Sequence, residues 1–344
     1  MLTVLSGFTL TTTHLRFVCE ATTPLNLETE KYRAGQNLRG ALGQVMMRTY
    51  CAGERDDPKH AATCPVHWLL AANEKPGEER RGYALVPPIR ETPPEQVALH
   101  NLTQGDVPLE IPYKPGERFE FGITLFGHAL KFLPYFVLAV PEMGRAGVGP
   151  GRGKFALKSV WAENPLTGNR ECLLAEGDQL VRTPTLVMTH EQVSQYAEDI
   201  LPGLIMHSMS ITLRFMTPTR LIDQGRLAQA PTFAIFFARL LKRLDELNEQ
   251  FGNGERRGMQ AAQELQEIAQ RVWLQSQDTR WIDVWSGSKR RGVASPLGGI
   301  LGYATYSVRS SNDLVQLMPW VYWAQLVQVG KSTVKGNGVI AISR

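Results

Sequence analysis

A chain of 344 residues has room for two domains of ordinary size, each with its own core. Its 43% hydrophobic content excludes a disordered protein; no apolar run approaches a membrane span and no charged n-region with an apolar core opens it, so a cytoplasmic protein is expected, with no membrane partner. The net charge of +4 is mild, and four scattered cysteines, Cys19, Cys51, Cys64 and Cys172, argue against a disulfide framework.

Residues 14–19 read as a first strand that stops before the turn at Pro24. A helix is expected over 32–48, where Leu38, Leu42, Val45 and Met46 share one face and Asn37 suits the cap. Gly40 and Gly43 weaken that helix, which points to something packed closely on their face. Then follow Cys51, His60, Cys64 and His67, ligand types that suit tetrahedral zinc. Their spacing matches no standard finger, so solvated loop histidines and two free thiols are preferred, no metal ligand is assigned, and zinc is kept as the alternative. The chain turns extended over 83–90 and stays loop-rich to Pro115, and alternation over 119–125 gives another strand.

An apolar helix at 132–140 leads into a glycine-rich basic loop holding Arg145, Arg152 and Lys154, and a strand follows over 154–160. Asn164-Pro165 and Thr167-Gly168-Asn169 mark a turn, and the polar segment 190–198 is expected to span a domain boundary. The second half repeats the pattern. A strand over 209–220 stops at a proline, and a helix begins near Pro231 or Thr232. Its residues Phe233, Phe237, Leu240, Leu241, Leu244, Leu247 and Phe251 form one core stripe. Strands over 281–285 and 297–308 then flank the basic run Lys289-Arg290-Arg291. Last come an apolar helix, opened by Pro319 as Pro134 opens its counterpart, a second glycine loop and a final strand. The long spacing of the two copies suggests two like domains made by duplication. The order strand, helix, strand, strand, helix, strand is ferredoxin-like, so the fold class expected is α+β with tandem ferredoxin-like βαββαβ domains, the arrangement of the RNA-recognition motif. The first domain is placed at 1–190 with a loop insertion at about 51–115, and the second at 205–344.

The closing loop carries the functional signal. Gly330, Lys331, Ser332, Lys335, Gly336 and Gly338 combine backbone amides with two ammonium groups, a surface able to grip phosphate. Gly330-Lys331-Ser332 copies the tail of a nucleotide-binding loop, but Gln325 stands where that motif needs its first glycine, and the order here is helix, loop, strand. A nucleotide cofactor is therefore excluded, and no other cofactor is implied. From residue 280 onward eight basic residues face only Asp283 and Asp313, a net of +6, so positive charge gathers around this loop. RNA is the polyanion this favours.

At this point the chain resembles the RAMP superfamily of CRISPR systems, specifically its endoribonucleases that process precursor crRNA. The resemblance covers nearly the whole length. It rests on Asn37-Leu38-Arg39-Gly40-Ala41-Leu42-Gly43, Thr124-Leu125-Phe126-Gly127, Leu213-Arg214-Phe215-Met216-Thr217-Pro218-Thr219-Arg220-Leu221, Pro296-Leu297-Gly298-Gly299-Ile300-Leu301-Gly302 and the closing glycine loop. It implies two ferredoxin-like domains side by side, a C-terminal loop that holds repeat RNA, and metal-independent cleavage by the ribose 2′-hydroxyl, leaving a cyclic phosphate. Partners implied are CRISPR repeat RNA and effector-complex subunits; a non-catalytic subunit holding guide RNA is the alternative. Such chemistry needs a base, an acid and cations. Members often carry a histidine in or beside the first helix; here none lies between Thr22 and Lys59, and Lys31, Tyr32, Arg33 and Arg39 stand there instead. Candidate catalytic residues are thus Tyr32, Lys31, Arg39 and His60, the last folding back from the next loop. Candidate RNA-binding residues are the six of the closing loop with Lys289, Arg290, Arg291, Arg145, Arg152 and Lys154. Gln328 and Asn337 depart from the family's usual glycine and apolar residue, and His14, His100, His128, His190 and His207 are given structural or surface roles.

Overall fold

The computed structural model describes residues 7–51, 53, 57–70, 81–89, 112–228, 230–287 and 294–343. In the first half, strand β1 (Thr12–Ala21) leads to helix α1 (Ala34–Thr49), two short helices α2 (Pro58–Thr63) and α3 (Pro65–Leu70), and strands β2 (Tyr83–Val86) and β3 (Arg118–Phe126). Helix α4 (Leu133–Ala146) and strands β4 (Phe155–Glu163) and β5 (Arg170–Leu174) complete it. Strand order in this antiparallel sheet is β2-β3-β1-β4-β5.

Helix α5 (His190–His207) joins the halves. The second half runs β6 (Ser210–Thr219), a small hairpin β7 (Ile222–Asp223) and β8 (Arg226–Leu227), helices α6 (Phe233–Phe251) and α7 (Met259–Gln270), then β9 (Trp273–Ile282). It continues through a second small hairpin, β10 (Trp285–Gly287) and β11 (Ala294–Pro296), to β12 (Gly299–Ser307), α8 (Ser311–Val327) and β13 (Ile340–Ser343). Its four-stranded sheet has the order β13-β6-β12-β9. Numbered within each half, both sheets read second, third, first, fourth strand, with a fifth strand added to the first sheet. This is the ferredoxin-like topology twice over.

The core follows the alternation in sequence. Leu15, Phe17, Cys19 and Ala21 of β1 point inward and are buried, as are Ile211, Leu213 and Phe215 of β6. Phe236, Phe237, Leu240, Leu244 and Leu247 of α6 are fully buried, so the stripe expected there is core. The two halves are fastened together: Asn248 of α6 bonds Thr9 N and Gly7 O at 2.9 Å each, and Phe8 packs edge-on against Trp320 and Trp323 of α8. All four cysteines are outside disulfides. No described helix is long and apolar enough to cross a membrane.

Five expectations need correction. The helix over 32–48 begins at Ala34, so Asn37 is no cap; its amide instead reaches back to Leu27 O and Glu28 Oε2. Nothing packs where a Cβ at Gly40 or Gly43 would stand; the tightly approached glycine of α1 is Gly35. Pro319, expected to open the last helix, lies well inside α8, which begins at Ser311. The polar segment 190–198 lies in helix α5 between the halves, opened by a capping box between Thr189 and Gln192 and packed on α8 through the edge-to-face pair Tyr196–Tyr322. Inside the stretch expected to be a loop insertion, β2 is a paired strand of the first sheet.

Candidate nucleic-acid interface

The two glycine loops are built alike. Each follows the last helix of its half and is closed by the same hydrogen bond, Val148 N to Gly153 O at 2.8 Å and Val329 N to Gly338 O at 2.9 Å. Helix α4 ends on Gly147, with φ +84°; its counterpart at the end of α8 is Gln328, also at positive φ, +60°. A side chain there is held by burial and a 2.9 Å bond from Gln328 Nε2 to Leu85 O. Gln328 is thus a strut between the halves.

The closing loop is less open than its glycines suggest. Gly336 and Gly338 are buried, and their N–H groups donate to Thr333 O and Pro218 O. Gly338 has φ +76° and lies so close to Val329 O that no Cβ fits. Lys331 N donates to Arg220 O, Lys335 N to Ser332 O, and Asn337 reaches Leu297 O at 2.7 Å. Buried Arg243 braces the loop's start, bonding Val327 O at 2.7 Å and Thr333 Oγ1 at 3.1 Å. These amides hold the loop's own shape, correcting the expectation of a broad row of open backbone N–H groups; what the loop presents outward is side-chain charge. Lys331 is exposed, and Gly330 and Ser332 are half-buried beside it.

Lys335 points elsewhere. Its carbonyl oxygen sits on Gly35 in the first turn of α1, where a Cβ would also come within 2.7 Å of the Lys335 carbonyl carbon. Its Nζ donates to Ser286 Oγ of β10 at 3.2 Å. Burial lowers the Lys335 pKa, and the nearby guanidinium of Arg39, a like charge, lowers it further. Arg39 also bonds the buried Tyr83 hydroxyl, whose pKa is raised by burial. Three buried donors on and beside the first turns of α1, Arg33 Nε, Gln36 Nε2 and Arg39 Nε, have no hydrogen-bond partner among the described residues. Two like charges beside unsatisfied donors form a place that an anionic group would stabilise. Tyr32 and Lys31 belong to the turn that leads into this helix; Tyr32 holds a left-handed conformation, φ +54°, fixed by its N–H bond to Thr29 O.

The structure does not bring His60 to this place. His60 bonds Cys51 just beyond the far end of α1, a 16-residue helix about 24 Å long, whereas Tyr32, Lys31 and Arg39 gather toward its start. The first glycine loop packs on the segment before α1, Gly149 against Asn26 O and Gly153 against Leu25. Exposed Arg145 pairs with half-buried Glu142, Arg152 folds back to Ala146 O at 2.8 Å, and Lys154 is exposed. Lys289, Arg290, Arg291 and His100 lie outside the described residues. Reading the sequence missed Gln36, Ser286 and Arg243: single polar residues on amphipathic elements give no pattern until the elements meet. His14 and His190 are internal, their pKa values lowered by burial to about 4 in each case.

Tandem ferredoxin-like halves, each closed by a glycine-rich basic loop, with cations converging where the second loop meets the first helix, define the architecture of a RAMP-type RNA-handling protein. Residues 10–186 match the AF_1859_N N-terminal domain family, and residues 213–340 match the CRISPR-associated endoribonuclease Cas6 family. The chain therefore belongs to the CRISPR-associated RAMP-type endoribonucleases. Among solved structures it is similar to Thermus thermophilus Cas6 (TTHB231), with a TM-score of 0.55 at 15% identity over 97% of this chain and 99% of that one. A product complex of Cas6 (TTHB231) gives 0.55 at 16% over 96% and 100%. A partial Cas6-RT-Cas1–Cas2 complex gives 0.58 at 13%, over 97% of this chain and 46% of that one. None of the curated proteins matches.

Proposed function

We propose that this endoribonuclease seats CRISPR repeat RNA across the joint between the first turns of α1 and the α8–β13 loop and cuts it there to release crRNA. The observation that carries this is the approach of Lys335 to Arg39, whose Nε, like Arg33 Nε and Gln36 Nε2 nearby, has no hydrogen-bond partner among the described residues, made possible by the contact of Gly35 with the Lys335 carbonyl. Lys331 and, through the adjoining segment, Arg152 and Lys154 extend the cationic track. The ribose 2′-hydroxyl attacks the neighbouring phosphorus, its proton leaves to a base, and the 5′ oxygen departs with a proton taken up, giving a 2′,3′-cyclic phosphate and a 5′-hydroxyl. Arg39 balances the charge that gathers on the phosphorus oxygens. Lys335, a stronger acid than an exposed lysine, protonates the leaving oxygen, while Tyr32 and Lys31 border the attacked ribose. This assigns proton transfer to Lys335 in place of His60. The fold is also similar to that in a partial Cas6-RT-Cas1–Cas2 complex, which supports assembly with other CRISPR proteins as part of the proposal.

Incubation of the purified protein with end-labelled repeat RNA in EDTA tests it. One cut is expected, with cyclic-phosphate and 5′-hydroxyl ends, abolished by a 2′-deoxyribose at the cut nucleotide. No product between pH 6 and 9, or cutting of the deoxy substrate, overturns the mechanism.

A further inference from the structure

Beyond the far end of α1 the structure gathers a second cluster, remote from the cationic joint. Cys51, His60 and His67 each offer one donor atom, and all three atoms lie within 4.8 Å of one another. Cys51 Sγ stands 3.1 Å from His60 Nε2, and the two imidazoles meet edge-on with ring centres 5.1 Å apart. These are not solvated loop side chains: His67 is 8% exposed, and its Nε2 is buried with no hydrogen-bond partner among the described residues. A buried imidazole nitrogen left unsatisfied costs free energy unless something fills its lone pair. Gly53 lies flat against the His60 ring, where any Cβ would collide with it, so the loop fixes the face that His60 turns to Cys51.

We propose that Cys51, His60 and His67 bind a divalent ion of the zinc class, pinning the α2–α3 pair to the end of α1. Bond lengths of about 2.3 Å to sulfur and 2.0–2.1 Å to nitrogen place the ligands of a tetrahedral ion roughly 3.4–3.6 Å apart, so side-chain shifts of about 1 Å close the present cluster on a metal. One thiolate with two imidazoles selects zinc, cobalt or nickel and rejects magnesium and calcium, which take oxygen ligands. Cys64, whose residue type completes a four-ligand set in the sequence, is buried apart from the three, and water takes the fourth position. Binding ionises the Cys51 thiol and releases one proton per ion. At about a helix length from Lys335 the ion takes no part in cleavage; its work is to order the chain after α1.

Cobalt reports on the site directly, without RNA. Full-length protein, stripped with EDTA and dialysed, is titrated with Co²⁺. A thiolate-to-cobalt charge-transfer band and strong visible bands of a four-coordinate ion are expected to saturate at one equivalent and to vanish when Zn²⁺ is added. Cys51→Ser removes the charge-transfer band, His67→Gln weakens binding at least tenfold, and Cys172→Ser changes neither. Zinc at a hundred times its Kd raises the melting temperature of the wild type by roughly 4 °C or more but not that of Cys51→Ser. A wild type without the thiolate band, or a band that survives Cys51→Ser, overturns the proposal.

Discussion

Gly35→Ala isolates the joint between α1 and the closing loop. The new methyl group would stand 2.7 Å from the Lys335 carbonyl carbon, against at least 3.4 Å for ordinary contact, and closer still to its oxygen. Both neighbours are backbone, so the loop must retreat by about 0.7 Å or more. Overlap of this kind costs about 1–3 kcal/mol, while alanine in place of glycine returns about 1 kcal/mol of helix propensity. The net loss of stability is therefore small, about 0–2 kcal/mol. Cleavage suffers more, because a displacement approaching 1 Å at the reacting groups costs on the order of a hundredfold. The expected outcome is a drop of ten- to a hundredfold in single-turnover cleavage with the urea midpoint lowered by at most about 0.7 M. Gly40→Ala and Gly43→Ala are internal controls. Each faces open space and is expected to stabilise the protein by about 0.5–1 kcal/mol with cleavage intact. Wild-type cleavage by Gly35→Ala, or cleavage lost equally in all three variants, refutes the placement of the joint at the centre of function.

Further outcomes test neighbouring links. Lys331→Ala is expected to reduce the slope of log K against log salt by about 0.7–0.9 unit and to leave the urea midpoint unchanged, as measured by filter binding. Arg39→Met relieves Lys335 of a like charge, so the alkaline limb of the cleavage pH profile should move to higher pH; an unmoved limb removes Lys335 from proton transfer. Arg243→Met leaves Val327 O without its buried donor and is expected to cost about 2–3 kcal/mol in urea unfolding. His14, bonded to Thr124 at 2.8 Å, has its pKa lowered by burial from 6.5 to about 4, so its contribution is fully present above pH 6.5 and is lost as pH falls toward 4. About 2 kcal/mol should be gone by pH 5, and His14→Asn should show a correspondingly shallower loss between pH 7 and 5.

Much of the fold was legible because burial imprints a period on the chain. Strand β1 and helices α4 and α6 carry alternating or helical apolar patterns, α8 is apolar on nearly every side, and the repeated order of elements gave the tandem topology. Elements without such a face escaped. Strand β9 is an edge strand largely open to solvent and was anticipated only over its last residues, while α7 buries little beyond Ile268 and Ala269. Helix α5 was written in its capping box, Thr189 to Gln192, but its polar surface hid it.

For the site, the sequence by itself determined the inventory: two glycine-rich basic loops, the cations of α1 and the cysteine–histidine set. Only the tertiary structure decided the pairing, for nothing local in residues 35 and 335 says that one backbone rests on the other. The same folding set His60 beside Cys51 and His67, away from Lys335, because a rigid helix stands between the two ends. Composition names the chemical groups a chain owns; long-range packing fixes the distances between them, and charge, acidity and ligation all depend on distance.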